Sequence, residues 1–331
     1  MVKAIVLHKY GLPETLSYEE TDIGEPGKGQ VLVKVMCASV NFPDALMIQG
    51  KYQFQPPMPL IPGGEMSGVV EKVGPGVERV KIGDRVFGST MIGSFSEKIV
   101  IDQLNLLPMG NKMDFKVASC FMMTYGTTMH AFRQRAKLQP GETVLVLGAS
   151  GGVGLAAVEL AKAMGATVIA AASTDKKLDI CKSCGADFLI NYSKQDIRKQ
   201  VKEFTDGKGV DVVYDPVGDK YAEPAVRSLA WNGRYLVIGF AAGEIPKIPL
   251  NLCLLKGASI VGVFYGAFIA KEPSAYMQNT KMLVEMISNG KLKPLIGQTY
   301  SLSQTPQALR DMMDRKVTGK AVILCSEESR L

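Results

Sequence analysis

Short β-branched runs recur through the first third of the chain, at residues 31–35, 68–73, 85–87 and 95–101. Gly and Pro break them at close spacing, as in Pro56-Pro57, Pro62-Gly63-Gly64 and Gly74-Pro75-Gly76. Short strands with this punctuation predict a β-rich, barrel-like or sandwich module. The period changes near residue 125. From there apolar runs at 143–147, 167–172, 188–190, 210–214, 235–238 and 260–263 alternate with helical stretches, the pattern of βαβ units. Six such strands predict an α/β, doubly wound parallel sheet. After Pro273 a helix at 275–288 and a last strand at 321–324 are expected to rejoin the first module. The predicted layout is residues 1–124 with 265–331 as one domain and 125–264 as an inserted one, with a ligand cleft between them.

Composition narrows the class. The chain has 331 residues, 47% hydrophobic and 21% charged, enough for a core in each of about two domains and too apolar for extended disorder. Its longest uncharged run of concern, residues 257–270, is 14 residues long. A bilayer span needs roughly 20, so this run reads as a core strand followed by a loop, and no membrane partner is expected. Residues 1–7 are too short in their apolar part for a secretory signal and read as a strand. Six scattered cysteines suit reduced thiols and a cytoplasmic setting. Cys181 and Cys184 form the one Cys-x-x-Cys pair, inside a helical stretch where packing accounts for them. Net charge is +6, without a Lys/Arg block, so nucleic acid is not an expected partner.

The strongest local signal runs from Val144-Leu145-Val146-Leu147 into Gly148-Ala149-Ser150-Gly151-Gly152-Val153-Gly154. It follows a strand and opens a helix whose apolar face reads Val153, Ala157, Leu160, Ala161 and Met164. Glycines here permit a tight turn, approach of a pyrophosphate to backbone N–H groups, and close helix–strand packing. This is the dinucleotide-binding arrangement of a Rossmann domain. An acid at the end of the second strand would hold a ribose 2′-OH. The chain instead has Ala172-Ser173-Thr174 followed by Asp175-Lys176-Lys177, small hydroxyls and two cations that suit a 2′-phosphate. NADPH is therefore the expected cofactor, with Asp175 read as the cap of a helix starting at Lys176.

Metal and hydrolytic chemistry lack residues to carry them. His8 and His130 are the only histidines, and neither has Cys or carboxylate neighbours at ligand spacing. There is no Gly-x-Ser-x-Gly elbow.

Together with the glycine-rich loop, the segments Val40-Asn41-Phe42-Pro43-Asp44, Gly50-Lys51-Tyr52, Pro62-Gly63-Gly64-Glu65-Met66-Ser67-Gly68, Gly83-Asp84-Arg85-Val86, Asp215-Pro216-Val217-Gly218, Gly233 to Phe240 and Thr318-Gly319-Lys320 resemble the zinc-free quinone oxidoreductases. That branch belongs to the medium-chain dehydrogenase/reductase superfamily, and the resemblance runs end to end. It implies that the first module is a GroES-like barrel domain. Where zinc-dependent relatives place Cys, His and Cys, this chain has Asn41, Gly64 and Met123, so no metal site is expected.

The same resemblance implies that Lys177, Tyr192 and Ser173 meet the 2′-phosphate side of NADPH. It implies that Ala149, Ser150, Gly151, Gly152 and Val153 hold the pyrophosphate, and that Thr127, Phe240, Phe264 and Tyr265 surround the nicotinamide. Asn41, Asp44 and Tyr52 would line the acceptor side as catalytic candidates. The expected activity is hydride transfer from NADPH to quinones or related conjugated carbonyls, with C=C reduction of enals, enones or enoyl thioesters as the alternative. Residues 248–255 are expected to pair two subunits in a homodimer, and a binding role without catalysis is the reading of a different class.

Overall fold

The structure, a computed structural model, describes residues 1–110 and 113–330. The chain divides into two compact units, Met1–Met123 joined by the chain from Pro294 onward, and Thr124–Lys293.

The first unit is built on a seven-stranded sheet. Its spatial order is Ile296–Ser301, Lys320–Leu324, Gln30–Ser39, Glu65–Val73, Arg85–Ser89 and Leu106–Pro108, with Lys98–Asp102 also pairing to Gln30–Ser39. Gln30–Ser39 is long because both of its faces are buried. Val31, Val33 and Val35 pack with Val70, Val86, Ile99 and Ile101, while Met36 and Cys37 meet Cys120 and Val322. A Cβ at Gly68 would collide with the Lys34 carbonyl on the adjacent strand, so the run is kept in register by a residue without a side chain. Helix Phe42–Ile48 leaves the end of this strand, capped by Asn41. The expected run at 95–101 is a strand only over Lys98–Asp102; Ser96 forms an isolated bridge to Ala4 instead.

The second unit carries a six-stranded sheet in the order Phe188–Asn191, Thr167–Ala172, Thr143–Leu147, Val210–Asp215, Leu229–Val237 and Ser259–Gly262. Every neighbouring pair is parallel. The order reverses at Thr143–Leu147, where helix Gly152–Ala163 begins. That helix buries more than the expected face. Leu155, Ala156 and Val158 are buried beside Ala157, Leu160 and Ala161, as expected of a helix lying between a sheet and other elements.

Two expectations need correction. The return to the first unit falls at 293/294, not 264/265. Helix Pro273–Ser288 stays with the nucleotide-type unit because its buried Asn279 accepts from Arg133 (2.8 Å) and Gln134 (3.1 Å). The uncharged run 257–270 is not core strand plus loop. Ser259–Gly262 is a largely exposed edge strand, and Tyr265–Lys271 is a helix. No helix among the described residues is long and apolar enough to cross a membrane.

Candidate active site

At the carboxyl end of Thr143–Leu147 the chain turns through Gly148, whose φ of +57° favours glycine. A side chain there would also strike Val217. A Cβ at Gly154 would collide with the Gly148 carbonyl and the Ala149 backbone. The loop 148–154 is thus folded tightly on itself, and the helix behind it presents first-turn N–H groups that have no intrahelical partner. Those groups and the helix dipole favour an anion.

A second loop faces this turn. Asp215 Oδ1 accepts from the N–H of Val217 (2.6 Å) and Gly218 (2.9 Å), and its Oδ2 accepts from the Tyr235 hydroxyl. Phe240 lies against Gly218, and Ala241 N–H donates to the Pro216 carbonyl at 3.0 Å. Burial raises the Asp215 carboxyl above its ordinary range, opposed by these three donors.

At the end of Thr167–Ala172, Thr174 rather than Asp175 caps the next helix, accepting from Lys177 N–H at 3.3 Å. Helix Asp175–Ser183 begins one residue before the expected start. Asp175 turns away to Asn191 Nδ2 (2.5 Å) and Lys194 Nζ (2.6 Å), and the Lys194 bond holds its carboxyl below the usual range. Tyr192 N–H donates to the Ala172 carbonyl at 3.1 Å, and its ring lies 4.5 Å from that of Tyr221. Ser193 Oγ donates to the Ser173 carbonyl at 2.9 Å. Ser173, Lys177 and Tyr192 therefore border one strand end.

In the first unit Asn41 and Asp44 belong to a buried polar cluster. Glu65 is 0% exposed, Asp44 2%, Asn41 5% and Lys320 5%. Glu65 Oε2 accepts from Ser39 Oγ (2.8 Å) and Asn41 Nδ2 (3.2 Å), and its Oε1 accepts from Met123 N–H (2.9 Å). Lys320 Nζ donates to Asn41 Oδ1 (2.6 Å) and the Val40 carbonyl (3.0 Å), with Glu65 Oε2 at 3.8 Å. Asp44 Oδ2 accepts from Asn41 N–H at 2.7 Å. Burial pushes the Asp44 carboxyl up to about 7, aided by the Glu65 charge and opposed by the Asn41 N–H and the Lys320 ammonium. Tyr52, half-buried, has its phenol raised first by burial and then by the Asp44 charge. Asp44 and Tyr52 are thus electrostatic neighbours.

Comparison with known proteins decides the family. An alcohol dehydrogenase GroES-like domain matches residues 27–111, and a zinc-binding dehydrogenase domain matches 152–283. The quinone oxidoreductase-like protein 2 homolog of Nematostella vectensis is 36% identical over 323 residues, covering 97% of this chain and 88% of its own. The quinone oxidoreductase of Pseudomonas aeruginosa is 33% identical, covering 98% of this chain and all of its own, 100%. The Escherichia coli quinone oxidoreductase, solved in complex with NADPH, superimposes with a TM-score of 0.90 at 28% identity, covering 97% and 99% of the two chains. The chain belongs to the quinone oxidoreductases of the medium-chain dehydrogenase/reductase superfamily. It is an oxidoreductase that acts on a small molecule with a nicotinamide cofactor.

The second unit of this oxidoreductase fits such a cofactor: the loop 148–154 leaves room for no side chain at two positions, as a backbone cradle for pyrophosphate requires. Tyr265 is buried, and its hydroxyl lies where a Cβ on Gly126 would fall, one residue from Thr127 on helix Met122–His130. Phe264 is exposed and Phe240 half-buried. The second matching domain is described by its zinc, yet Asn41 and Gly64 lie outside it. Among the described residues no three His, Cys, Asp or Glu side chains are grouped to hold an ion. His8 instead meets Glu19 at the surface, and His130 stacks on Phe268. Burial raises the thiols of Cys181, to about 12, and of Cys184, which disfavours a thiolate pair.

Sequence reasoning missed Ser39, Glu65 and Lys320 as parts of the site. Glu65 and Lys320 each stood inside a quoted motif, but nothing local says that they meet.

Proposed function

We propose that the protein is an NADPH-dependent, metal-independent reductase of quinones and related conjugated carbonyls. Asp175 carries the reading. The one acid near the end of the second strand is engaged by Asn191 and Lys194, whereas an NADH site would turn it to the ribose. Ser173, Lys177 and Tyr192 beside it supply a hydroxyl, a cation and a phenol suited to a 2′-phosphate.

NADPH, when bound, supplies hydride. Ala149, Ser150, Gly151, Gly152 and Val153 would hold its pyrophosphate, and Thr127, Phe240, Phe264 and Tyr265 its nicotinamide end. On the acceptor side Tyr52 offers a phenol O–H and Asp44 a carboxyl balanced near neutrality, both able to meet charge developing on a carbonyl oxygen. Both ends of the Asn41 amide are engaged by Lys320 and Glu65, so Asn41 shapes this side rather than donating. A quinone needs no proton in the hydride step, because its reduced anion is stable. The second reading, C=C reduction of enals, enones or enoyl thioesters, draws support from the same Asp44 and Tyr52 pair, since an enolate carbon needs a proton donor.

A panel of 9,10-phenanthrenequinone, 1,4-benzoquinone, an enal and a crotonyl thioester, each with NADPH or NADH and with or without a chelator, tests this. Chelator-resistant turnover of quinones with NADPH is expected. Preference for NADH, or loss of activity with the chelator, would overturn it; faster turnover of the enal would favour the second reading.

We further propose that two copies associate along Ser259–Gly262. This strand ends the sheet and is largely exposed, as are Leu250, Leu254 and Leu255 shortly before it and Trp231, whose ring lies beside Gly257. An uncovered edge beside apolar side chains is a pairing surface. Light scattering at micromolar concentration should give twice the chain mass; a single chain's mass would rule out the pair.

A further inference from the structure

We infer that Lys320 is a positioning residue: its ammonium, paired with Glu65, clamps the Asn41 side chain and so fixes the acceptor-side geometry of Asn41 and Asp44. The inference rests on the oxidoreductase reading above for its kinetic consequence. It stands structurally on the first unit alone.

Lys320 begins the strand Lys320–Leu324, which runs antiparallel to the end of Gln30–Ser39. The preceding Gly319 has φ +69°, and a Cβ there would collide with the Leu295 carbonyl. The backbone therefore enters the strand by one route, and the Lys320 side chain goes into the core. A buried ammonium needs partners. Lys320 finds the Val40 carbonyl, Asn41 Oδ1 and the Glu65 carboxylate. All three lie at the junction between Gln30–Ser39 and helix Phe42–Ile48, or on the strand beside it.

The consequences pass through Asn41. With Oδ1 held by Lys320, Nδ2 must point toward Glu65 and Ser39, at 3.2 and 3.3 Å. The Asn41 backbone N–H then meets Asp44 Oδ2, which sets the direction of that carboxyl. A buried cation and carboxylate thus decide where Asn41 and Asp44 point. The same place holds Gly64 and Met123: a Cβ on Gly64 would lie 3.7 Å from Asp44 Oδ1 and 3.9 Å from the Met123 methyl. An internal ion pair does here what a bound ion's ligand geometry could do, holding several strand ends in one arrangement.

The test compares the parent with Lys320→Met and with the charge-neutral pair Lys320→Met and Glu65→Gln, since the single variant leaves a buried carboxylate and can fail to fold. For the folded double variant, kcat for 9,10-phenanthrenequinone should fall about ten- to a hundredfold, as misplacement of a reacting geometry does, while the NADPH dissociation constant stays unchanged. An independent readout needs no acceptor. In protein labelled with 15N-asparagine, the Asn41 side-chain amide should be protected from hydrogen exchange in the parent and lose that protection in the double variant. A folded double variant with parental kcat and parental Asn41 protection would overturn the inference. Should the parent reduce no acceptor at all, the functional reading fails, and the Asn41 exchange rates alone decide the clamp.

Discussion

Two buried carboxyls organise the two units by different means. Asp215 is satisfied by neutral donors among the described residues, two of them the backbone N–H groups of Val217 and Gly218, two and three residues further along the chain, and the third the Tyr235 hydroxyl. Glu65 gathers Ser39, Asn41, Met123 and the Lys320 ammonium from three separate parts of the chain. A loop that needs only its own shape can be held by local N–H groups. Strand ends brought together from opposite ends of the sequence are held by charge, which is costly to bury and severe to leave unpaired.

The sharpest way to break this contrast is to remove one partner from each. Lys320→Met should cost about 3–5 kcal/mol in denaturant unfolding, because Glu65 loses its buried counter-charge. Asp215→Asn should cost about 1–3 kcal/mol, since an amide oxygen still accepts from the loop but cannot replace the carboxyl toward Tyr235. Equal losses would mean that the charge in the first unit does nothing special.

Within the nucleotide-binding unit, Lys177→Ala should weaken NADPH by about ten- to a hundredfold, the worth of a charge-assisted contact of about 1.5–3 kcal/mol. NADH should be spared, because it has no 2′-phosphate. Titration calorimetry showing equal effects on both cofactors would remove Lys177 from phosphate recognition.

A smaller signature lies in pH. The Asp44 carboxyl is pushed up to about 7 by burial, above the ordinary value of about 3.9 in the unfolded chain. Between these values the folded state keeps a proton that the unfolded state has released, so unfolding free energy falls as pH rises. The slope is at most about 1.4 kcal/mol per pH unit. Asp44→Asn should flatten it, and an unchanged slope would assign the pH dependence elsewhere.

The smallest effect concerns Tyr52. If it serves as an aromatic wall for quinones, Tyr52→Phe leaves their turnover nearly intact, whereas loss of a general acid lowers kcat by about 10²–10⁴-fold. A loss of that size with quinones would give Tyr52 the proton-donor role.

Much of this was legible where the signal is local. The runs at 143–147 and 167–172 match strands residue for residue, because strands covered on both faces read as unbroken apolar stretches. Asn41 and Asp44 were reached through the family resemblance of the segment Val40 to Asp44, since their local pattern reads equally as a turn and a helix cap. The pairing of Glu65 with Lys320 was not legible. A lysine at a strand start reads as a solvated end, and only the tertiary path carries it into the core. Residues 257–270 misled for the opposite reason: they are uncharged, yet much of the run stays at the surface, where apolar side chains are common.

The order in which the first unit's strands occur has a consequence for synthesis. Lys320–Leu324 pairs with Gln30–Ser39, but it leaves the ribosome after the whole of the second unit. Until then the edge of Gln30–Ser39 lacks a neighbour there, and Glu65 lacks its cation. At about 5–20 residues per second, the second unit can acquire its parallel sheet while the first still waits for its last strand. The earliest part of the chain to be made is thus the last to be finished, and a nascent chain stopped short of Lys320 carries a complete nucleotide fold while Glu65 and Asn41 still lack the Lys320 ammonium.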